Sequence, residues 1–355
     1  MELHMKQLMI LMGVLLFVSC RPRRHEIPSP QGKVNLTILR LDQDLFRLAP
    51  DPDSIRTALP ALRGKYGEFL EAYSQYVLQI GKTSDPLYPE LLVTFLTDRS
   101  VFELKQASDS VFADFAPIQR QLEYAWNRFV ALFPAQKPPV LVTLISGLNQ
   151  SFMATDTMLG ISLDKFLGME SFLYRAAMLP LYQRRTMLPE RIALDCIRAW
   201  MTSIFPVPDS SARLLEYIIQ EGKIMYQVRK IFPDAPDTLL WGFTQAQLEW
   251  CEKNESIKSH EKELLEWCEK NEHQMWTYLV ENKKLFVTDA FTIGKFIGEG
   301  PFTKDFTRES PARAAVWIGY QIVSGYMKRH PGVIPEELMN RLLAKDILEG
   351  SRYDP

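Results

Sequence analysis

Two arginines and two carboxylates are the charged residues whose types and spacing could do chemistry in this sequence. Arg191, Asp195 and Arg198 follow one another at four and three residues within 189–205, a segment that predicts a largely buried helix. Glu221 lies on the apolar stripe of the next predicted helix. Because an unpaired buried charge is costly, Glu221 needs a partner, and we expect Arg198 or Arg191 to supply it. The four residues therefore predict a structural charge network.

The same residues argue against a metal site. Asp195 and Glu221 could bind a hard cation in principle, but two carboxylates need further oxygen ligands that the sequence does not identify. The neighbouring arginines repel a divalent cation. Outside the amino-terminal segment the histidines lie elsewhere, at His25, His260, His273 and His330. We expect no metal and no cofactor.

Nucleophilic catalysis is not expected either. The sequence has no Gly-x-Ser-x-Gly elbow, and Cys196 has no histidine close to it in sequence. We therefore predict no catalytic residue.

The first 19 residues are expected to be an export signal that ends at Cys20. Leu8–Val18 is an apolar run of eleven residues, which is shorter than the roughly 20 residues of a membrane-spanning helix and typical of a signal peptide. The four residues ending at Cys20, Phe-Val-Ser-Cys, resemble the lipobox of bacterial lipoproteins, in which the cysteine thiol receives diacylglycerol. We predict lipidation of Cys20. An ordinary cleaved signal with an incidental cysteine is the alternative.

Composition indicates a globular domain after a short tether. The chain is 46 % hydrophobic with a formal net charge of -2, and no cluster of Lys and Arg follows the tether, so nucleic acid is not an expected partner. Residues 20–32 contain three prolines and no apolar periodicity, which predicts the tether. Three cysteines follow Cys20, and an odd number leaves at least one free thiol, so disulfides are not expected to frame the fold.

Hydrophobic periodicity predicts an α+β fold that is predominantly α-helical with a small antiparallel sheet. We expect a strand and a helical lobe over 33–135, followed by a sheet and a second helical lobe over 136–355. The predicted strands are 33–41, 138–145 and part of 151–163, and the main predicted helices are 53–63, 66–80, 87–97, 117–133, 189–205, 210–230 and 314–327.

An exact internal repeat interrupts the second lobe. Leu248–Glu255 recurs as Leu265–Glu272, seventeen residues later. Two copies are too few for a stacked array, so 248–272 is expected to be a duplicated insertion tolerated at the surface.

Four short motifs, in this order, resemble the gliding-motility lipoprotein family GldB of the Bacteroidetes. The motifs are Leu39–Asp42, Gly160–Gly168, Asp195–Trp200, and Trp317–Val323 with Tyr326 and Met327. The resemblance includes the lipobox and covers most of the chain after the signal, and the duplicated segment departs from it.

The resemblance also implies a relation to zincin-like metallopeptidases. In those enzymes a small sheet leads to a helix bearing His-Glu-x-x-His, and a later helix supplies a third ligand, often a glutamate followed by glycine. This chain has Glu221-Gly222 in the later helix but lacks the histidine motif. The resemblance thus implies a degenerate zincin-like architecture, with the charge network at the position of the former metal site.

The family implies a non-catalytic lipoprotein of the cell envelope that supports gliding motility, or the associated secretion machinery, through protein contacts. An envelope metallohydrolase with non-standard ligands and a glycan-binding lipoprotein are the alternatives. Surface-exported lipoproteins of the Bacteroidetes resemble one another in acidic residues after the lipidated cysteine, whereas Arg21, Arg23 and Arg24 follow Cys20 here. We therefore expect an outer-membrane lipoprotein that faces the periplasm, with the membrane and envelope proteins as partners.

Overall fold

The computed structural model describes residues 33–207, 211–241, 271–306 and 310–355. The signal, Cys20, the tether and the duplicated insertion up to residue 270 lie outside the described residues, and so do His25 and His260. Within the described ranges, no helix is both long enough and apolar enough to cross a membrane.

The amino-terminal part is one short strand followed by helices. After β1 (Ile38–Arg40) come α1 (Leu41–Phe46), α2 (Pro52–Tyr66), α3 (Glu68–Ala72) with a π-helical turn (Tyr73–Val77), α4 (Tyr88–Thr97), α5 (Arg99–Val111) and α6 (Ala116–Leu132). Aspartates begin two of these helices: the side chain of Asp51 accepts from the backbone N–H of Ser54, and that of Asp98 accepts from Val101.

Three further strands complete a four-stranded sheet in the order β1-β2-β4-β3. They are β2 (Val140–Leu144), β3 (Phe152–Ala154) and β4 (Met158–Ser162). The β1–β2 and β2–β4 pairs are parallel and only β3–β4 is antiparallel, so the sheet is mixed and not antiparallel as predicted. β1 and β2 are parallel because the chain returns through the helices between them, and β2 and β4 are parallel because β3 runs back between them in sequence.

Both faces of the sheet are covered. In β2, Leu141 packs into the cluster that holds α6 and the helices after the sheet, whereas Val142 and Leu144 pack into the cluster of α1 to α4. Strands buried on both faces are typical of parallel pairing, and the unbroken apolar run of β2 fits that environment.

The described residues after β4 form helices and the loops that connect them. A 3₁₀ turn (Leu163–Lys165), α7 (Phe172–Ala176), α8 (Leu181–Arg184) and a second 3₁₀ turn (Pro189–Arg191) lead to α9 (Ile192–Ile204), α10 (Leu214–Ile231) and α11 (Asp237–Trp241). Among the described residues that follow are α12 (271–281), a 3₁₀ turn (Lys284–Phe286), α13 (Ala290–Ile297), α14 (Ala314–Arg329), α15 (Pro335–Asn340) and α16 (Ala344–Ser351). The prediction of a helix-dominated α+β fold is confirmed, and its zincin-like character stays a prediction.

Two glycines allow α10 and α14 to cross at backbone contact. A Cβ atom added at Gly222 would overlap the backbone of Gly319, and one added at Gly319 would overlap the carbonyl oxygen of Ile218. Gly319 lies in the predicted helix over 314–327. This crossing fixes the position of α10, which carries Glu221.

Candidate binding site

A polar cavity of about 560 Å³ lies between the turn after β2, the segment 163–187, α9 and α10. All four residues of the predicted charge network line it: Arg191, Asp195, Arg198 and Glu221. The cavity is therefore the place where the chain gathers the side chains that sequence spacing singled out.

Arg191 and Asp195 form a bidentate ion pair one helical turn apart. Arg191 Nε lies 3.0 Å from Asp195 Oδ2, and Nη2 lies 2.8 Å from Oδ1. Arg191 Nη1 donates to the backbone carbonyl of Leu239, which connects the start of α9 to α11. The Arg191 side chain is 5 % exposed. Both carboxylate oxygens of Asp195 are thus occupied by one guanidinium.

Glu221 lies between two guanidinium groups. Its Oε2 is 3.0 Å from Arg313 Nη2 and 3.5 Å from Arg198 Nη2. Burial pushes the pKa of Glu221 upward, but the two arginines outweigh burial and hold it below its usual value. Burial lowers the pKa of Arg313 to about 10, so this guanidinium stays charged at neutral pH. Glu221 is therefore an ionised carboxylate held between two cations.

Arg313 is the member of this cluster that the sequence analysis missed. It directly precedes α14 in a left-handed conformation (φ 57°). A basic residue at the start of a helix faces the positive end of the helix dipole, which is unfavourable unless a carboxylate compensates it. A basic residue just before a predicted helix was therefore the feature of the sequence that could have indicated an acidic partner for Arg313.

The turn after β2, which supplies part of the cavity wall, is held by Asp164, a residue of the second family motif. Its carboxylate accepts from the backbone N–H of Ser146 at 2.9 Å and of Leu148 at 2.7 Å. Leu148 adopts φ 67°, and these bonds hold the turn in that conformation. The Asp164 backbone carbonyl accepts from the Tyr174 hydroxyl at 2.9 Å. Burial raises the pKa of Asp164, and the N–H donors oppose that shift.

Lys165, the residue after Asp164, lines the cavity. Its ammonium donates to the backbone carbonyl of Leu148 at 3.3 Å. Burial lowers the pKa of Lys165, and the charges of Asp164 and Glu299 only partly offset that effect. The side chain is thus a poorly solvated cation in a cavity wall.

The groups that could serve other chemistry lie apart from the cavity. Within the described ranges, no cluster of three or more His, Cys, Asp and Glu side chains has the geometry to hold a metal ion. His273 Nδ1 is 2.7 Å from the carbonyl oxygen of Pro355, and His330 stacks on the ring of Tyr326. Burial raises the pKa of the Cys196 thiol well above its usual value, which keeps it protonated.

The chain matches the family model described as gliding motility protein GldB over residues 23–258 and 257–355. No curated protein and no solved structure matches it. The matched ranges run from the tether to the last residue. This chain therefore belongs to the GldB family of gliding motility proteins.

Proposed function

We propose that the protein acts in gliding motility, or in the secretion machinery associated with it, as a non-catalytic lipoprotein that works through protein contacts. Family membership supports the motility role. The observation that carries the non-catalytic part is the state of the cavity carboxylates. Asp195 is bound by Nε and Nη2 of Arg191, and Glu221 is bound by Arg198 and Arg313.

A general base needs a pKa close to the working pH and a free lone pair directed at the substrate. The pKa of Glu221 is held below its usual value, and two guanidiniums occupy its Oε2 atom. Asp195 uses both of its oxygens on Arg191. We therefore expect both carboxylates to hold helices together and not to transfer protons.

A lipid on Cys20 would attach the domain to the outer membrane on its periplasmic side. The lipobox and the basic residues after it support this part of the proposal. Residues 21–32 would span up to about 40 Å if fully extended, at roughly 3.3 to 3.6 Å per residue. The domain could then reach the periplasmic parts of a motor or secretion complex.

Affinity capture of the full lipidated chain from its own membranes, with mass spectrometry of the bound proteins, tests the proposal. We expect envelope proteins of the motility or secretion complex to be enriched. Cys20→Ser should leave the domain folded but release it from membranes and weaken the enrichment.

An activity and metal assay on the same preparation tests the rival. One equivalent of bound zinc, together with a hydrolytic activity that chelators abolish, would replace the non-catalytic proposal by the metallohydrolase.

Protease added to intact cells should leave the domain whole. Cleavage in intact cells would contradict the periplasmic orientation.

A further inference from the structure

We propose that the 560 Å³ cavity binds a peptide carboxylate that is carried next to an apolar side chain, as at the carboxyl terminus of a protein. The inference rests on the proposed protein-contact function and names the chemistry that one such contact recognises. It is carried by the free hydrogen-bond donors of the cavity, by the position of Lys165 and by the apolar part of the lining.

The charges that line the cavity are balanced in number, but their hydrogen-bonding capacity is not. Both oxygens of Asp195 are used by Arg191, and Oε2 of Glu221 is shared by two guanidiniums. Arg198 contributes one contact at 3.5 Å and is 23 % exposed. A guanidinium has five N–H donors, so most of those on Arg198 are free for a ligand.

Arg198 stays available because Arg313 is the nearer partner of Glu221. Arg313 Nη2 approaches Oε2 at 3.0 Å, whereas Arg198 Nη2 is 3.5 Å away. The buried Nε of Arg313 has no hydrogen-bond partner among the described residues, but Arg313 does not line the cavity. An incoming carboxylate would therefore meet the free donors of Arg198 and not those of Arg313.

Lys165 faces the same cavity without an ion-pair partner in the described part of the chain. Its ammonium has three donors, and the carbonyl of Leu148 accepts one of them at 3.3 Å. The neighbouring carboxylate of Asp164 is directed at the amides of the 146–148 turn. Glu299, the third carboxylate of the lining, is exposed. A carboxylate ligand would replace the solvation that burial denies Lys165.

The remaining lining explains why the carboxylate should adjoin an apolar group. Phe152, Phe166, Leu179 and Met187 supply apolar surface to the same cavity. Binding sites of this size combine an apolar wall with a few directed polar groups that fix the orientation of the ligand. A bare anion would use the donors and leave that wall uncovered.

Titration calorimetry of the full chain in detergent tests the inference with two probes, N-acetyl-alanyl-phenylalanine and its carboxamide. They differ only in the terminal charge. We expect the acid to bind and the amide to bind at least ten-fold more weakly. Equal affinities, or no heat from either probe, would overturn the proposal.

Variants on the cavity wall make the test specific. Lys165→Gln and Arg198→Gln should each weaken acid binding at least ten-fold while leaving amide binding unchanged. Arg313 still pairs with Glu221 in Arg198→Gln, and circular dichroism with thermal melting checks that both variants fold. Lys137→Gln and Arg120→Gln, which alter exposed residues away from the cavity, are the matched controls and should bind like the parent chain. If Lys165→Gln and Arg198→Gln bind the acid as tightly as the two control variants do, the cavity is not the binding site.

Sodium acetate separates a peptide terminus from a small free carboxylate. Acetate should compete with the peptide only at concentrations far above it, and competition at equal concentration would overturn the peptide assignment. Membrane capture with the Lys165→Gln/Arg198→Gln chain separates the two proposals. If the double variant binds no peptide but captures the same envelope proteins as the parent chain, the cavity is not the surface that contacts those proteins, and the protein-contact function stands. If the parent chain binds the peptide but captures no envelope protein, the cavity site stands and the proposed protein contacts in the envelope are wrong.

Discussion

Glu221 and Gly222 are neighbours on α10, yet Gly222 lies in a tightly packed helix crossing and Glu221 lies at an open, charged cavity. At Gly222 the helix meets α14 backbone to backbone, and the contact depends on the absence of a side chain at Gly222 and Gly319. At Glu221 the same helix turns a charge toward an open cavity, where arginines from α9 and from the start of α14 meet it. The crossing has no spare room, whereas the cavity has room and spare donors. The comparison indicates that stability is concentrated in the crossing and binding capacity in the cavity.

The largest expected effect comes from filling the crossing. Gly319→Ala should lower the free energy of unfolding by at least about 3 kcal/mol, because a Cβ there overlaps the backbone of α10 and the two helices must separate. Chemical denaturation followed by circular dichroism measures the change.

Gly64→Ala is the matched control for the crossing. Gly64 lies within α2, and a Cβ added there meets no atom within 4 Å. Replacing a helical glycine by alanine in open space should stabilise the chain by about 0.5–1 kcal/mol. If both variants shift the unfolding free energy alike, close packing at the crossing is not what holds α10 and α14 together.

A second, smaller effect is expected on the cavity side. Glu221→Gln leaves the guanidiniums of Arg313 (12 % exposed) and Arg198 (23 % exposed) without their shared carboxylate, and it should cost about 1–3 kcal/mol of unfolding free energy. Because the folded-state pKa of Glu221 is lowered, its contribution is present above the ordinary pKa of 4.5 and is lost as the pH falls through the lowered value. The loss should therefore be seen at pH 7 and shrink in acid.

The double variant Glu221→Gln/Arg198→Gln sharpens that prediction. Removing one of the two unpaired cations together with the carboxylate should recover part of the stability lost in Glu221→Gln alone. A double variant with the full sum of both single losses would mean that Arg198 and Glu221 are not coupled. Denaturant titrations of the four chains at one pH supply this comparison.

Sequence spacing predicted contacts best where the two residues are close together along the chain. The contact between Arg191 and Asp195 spans four residues of one helix, so the helical repeat alone brings the two side chains together. Arg313 reaches Glu221 from 92 residues away, and no periodic pattern encodes that approach. Four charged residues of the cavity could thus be named from sequence, but not Lys165 or the complete set of partners around Glu221.

The fold shows the same division. The main helices were predicted within a few residues, because apolar periodicity is a local property. α5 was missed because polar side chains occupy its inner face, where Lys105 and Ser108 are buried. The parallel pairing of β1 with β2 joins segments about a hundred residues apart, which alternation within a single strand does not encode.

The smallest expected effect concerns Lys223, the next residue of α10 and the one that belongs to neither region. Its ammonium is buried and donates to the carbonyl of Leu342 at 2.8 Å. Burial lowers its pKa from 10.5 to about 8. Below pH 8 the lysine is charged in both the folded and the unfolded chain, so folding bears the whole cost of burying that charge. As the pH rises from 8 to 10.5 the folded chain loses its proton first, and the cost disappears.

Lys223→Met should therefore stabilise the chain by about 1 kcal/mol at pH 7, since removal of a buried charge outweighs the lost hydrogen bond to Leu342. The advantage should fall steadily between pH 8 and 10.5 in denaturant titrations. Lys328→Met, on the exposed side of α14, is the control and should change the unfolding free energy by less than about 0.5 kcal/mol at every pH. A gain from Lys223→Met that does not vary with pH would mean that better apolar packing, and not relief of a buried charge, is its source. In that case Glu221 would be the residue of α10 whose charge affects stability, and Lys223 would act only through its packing.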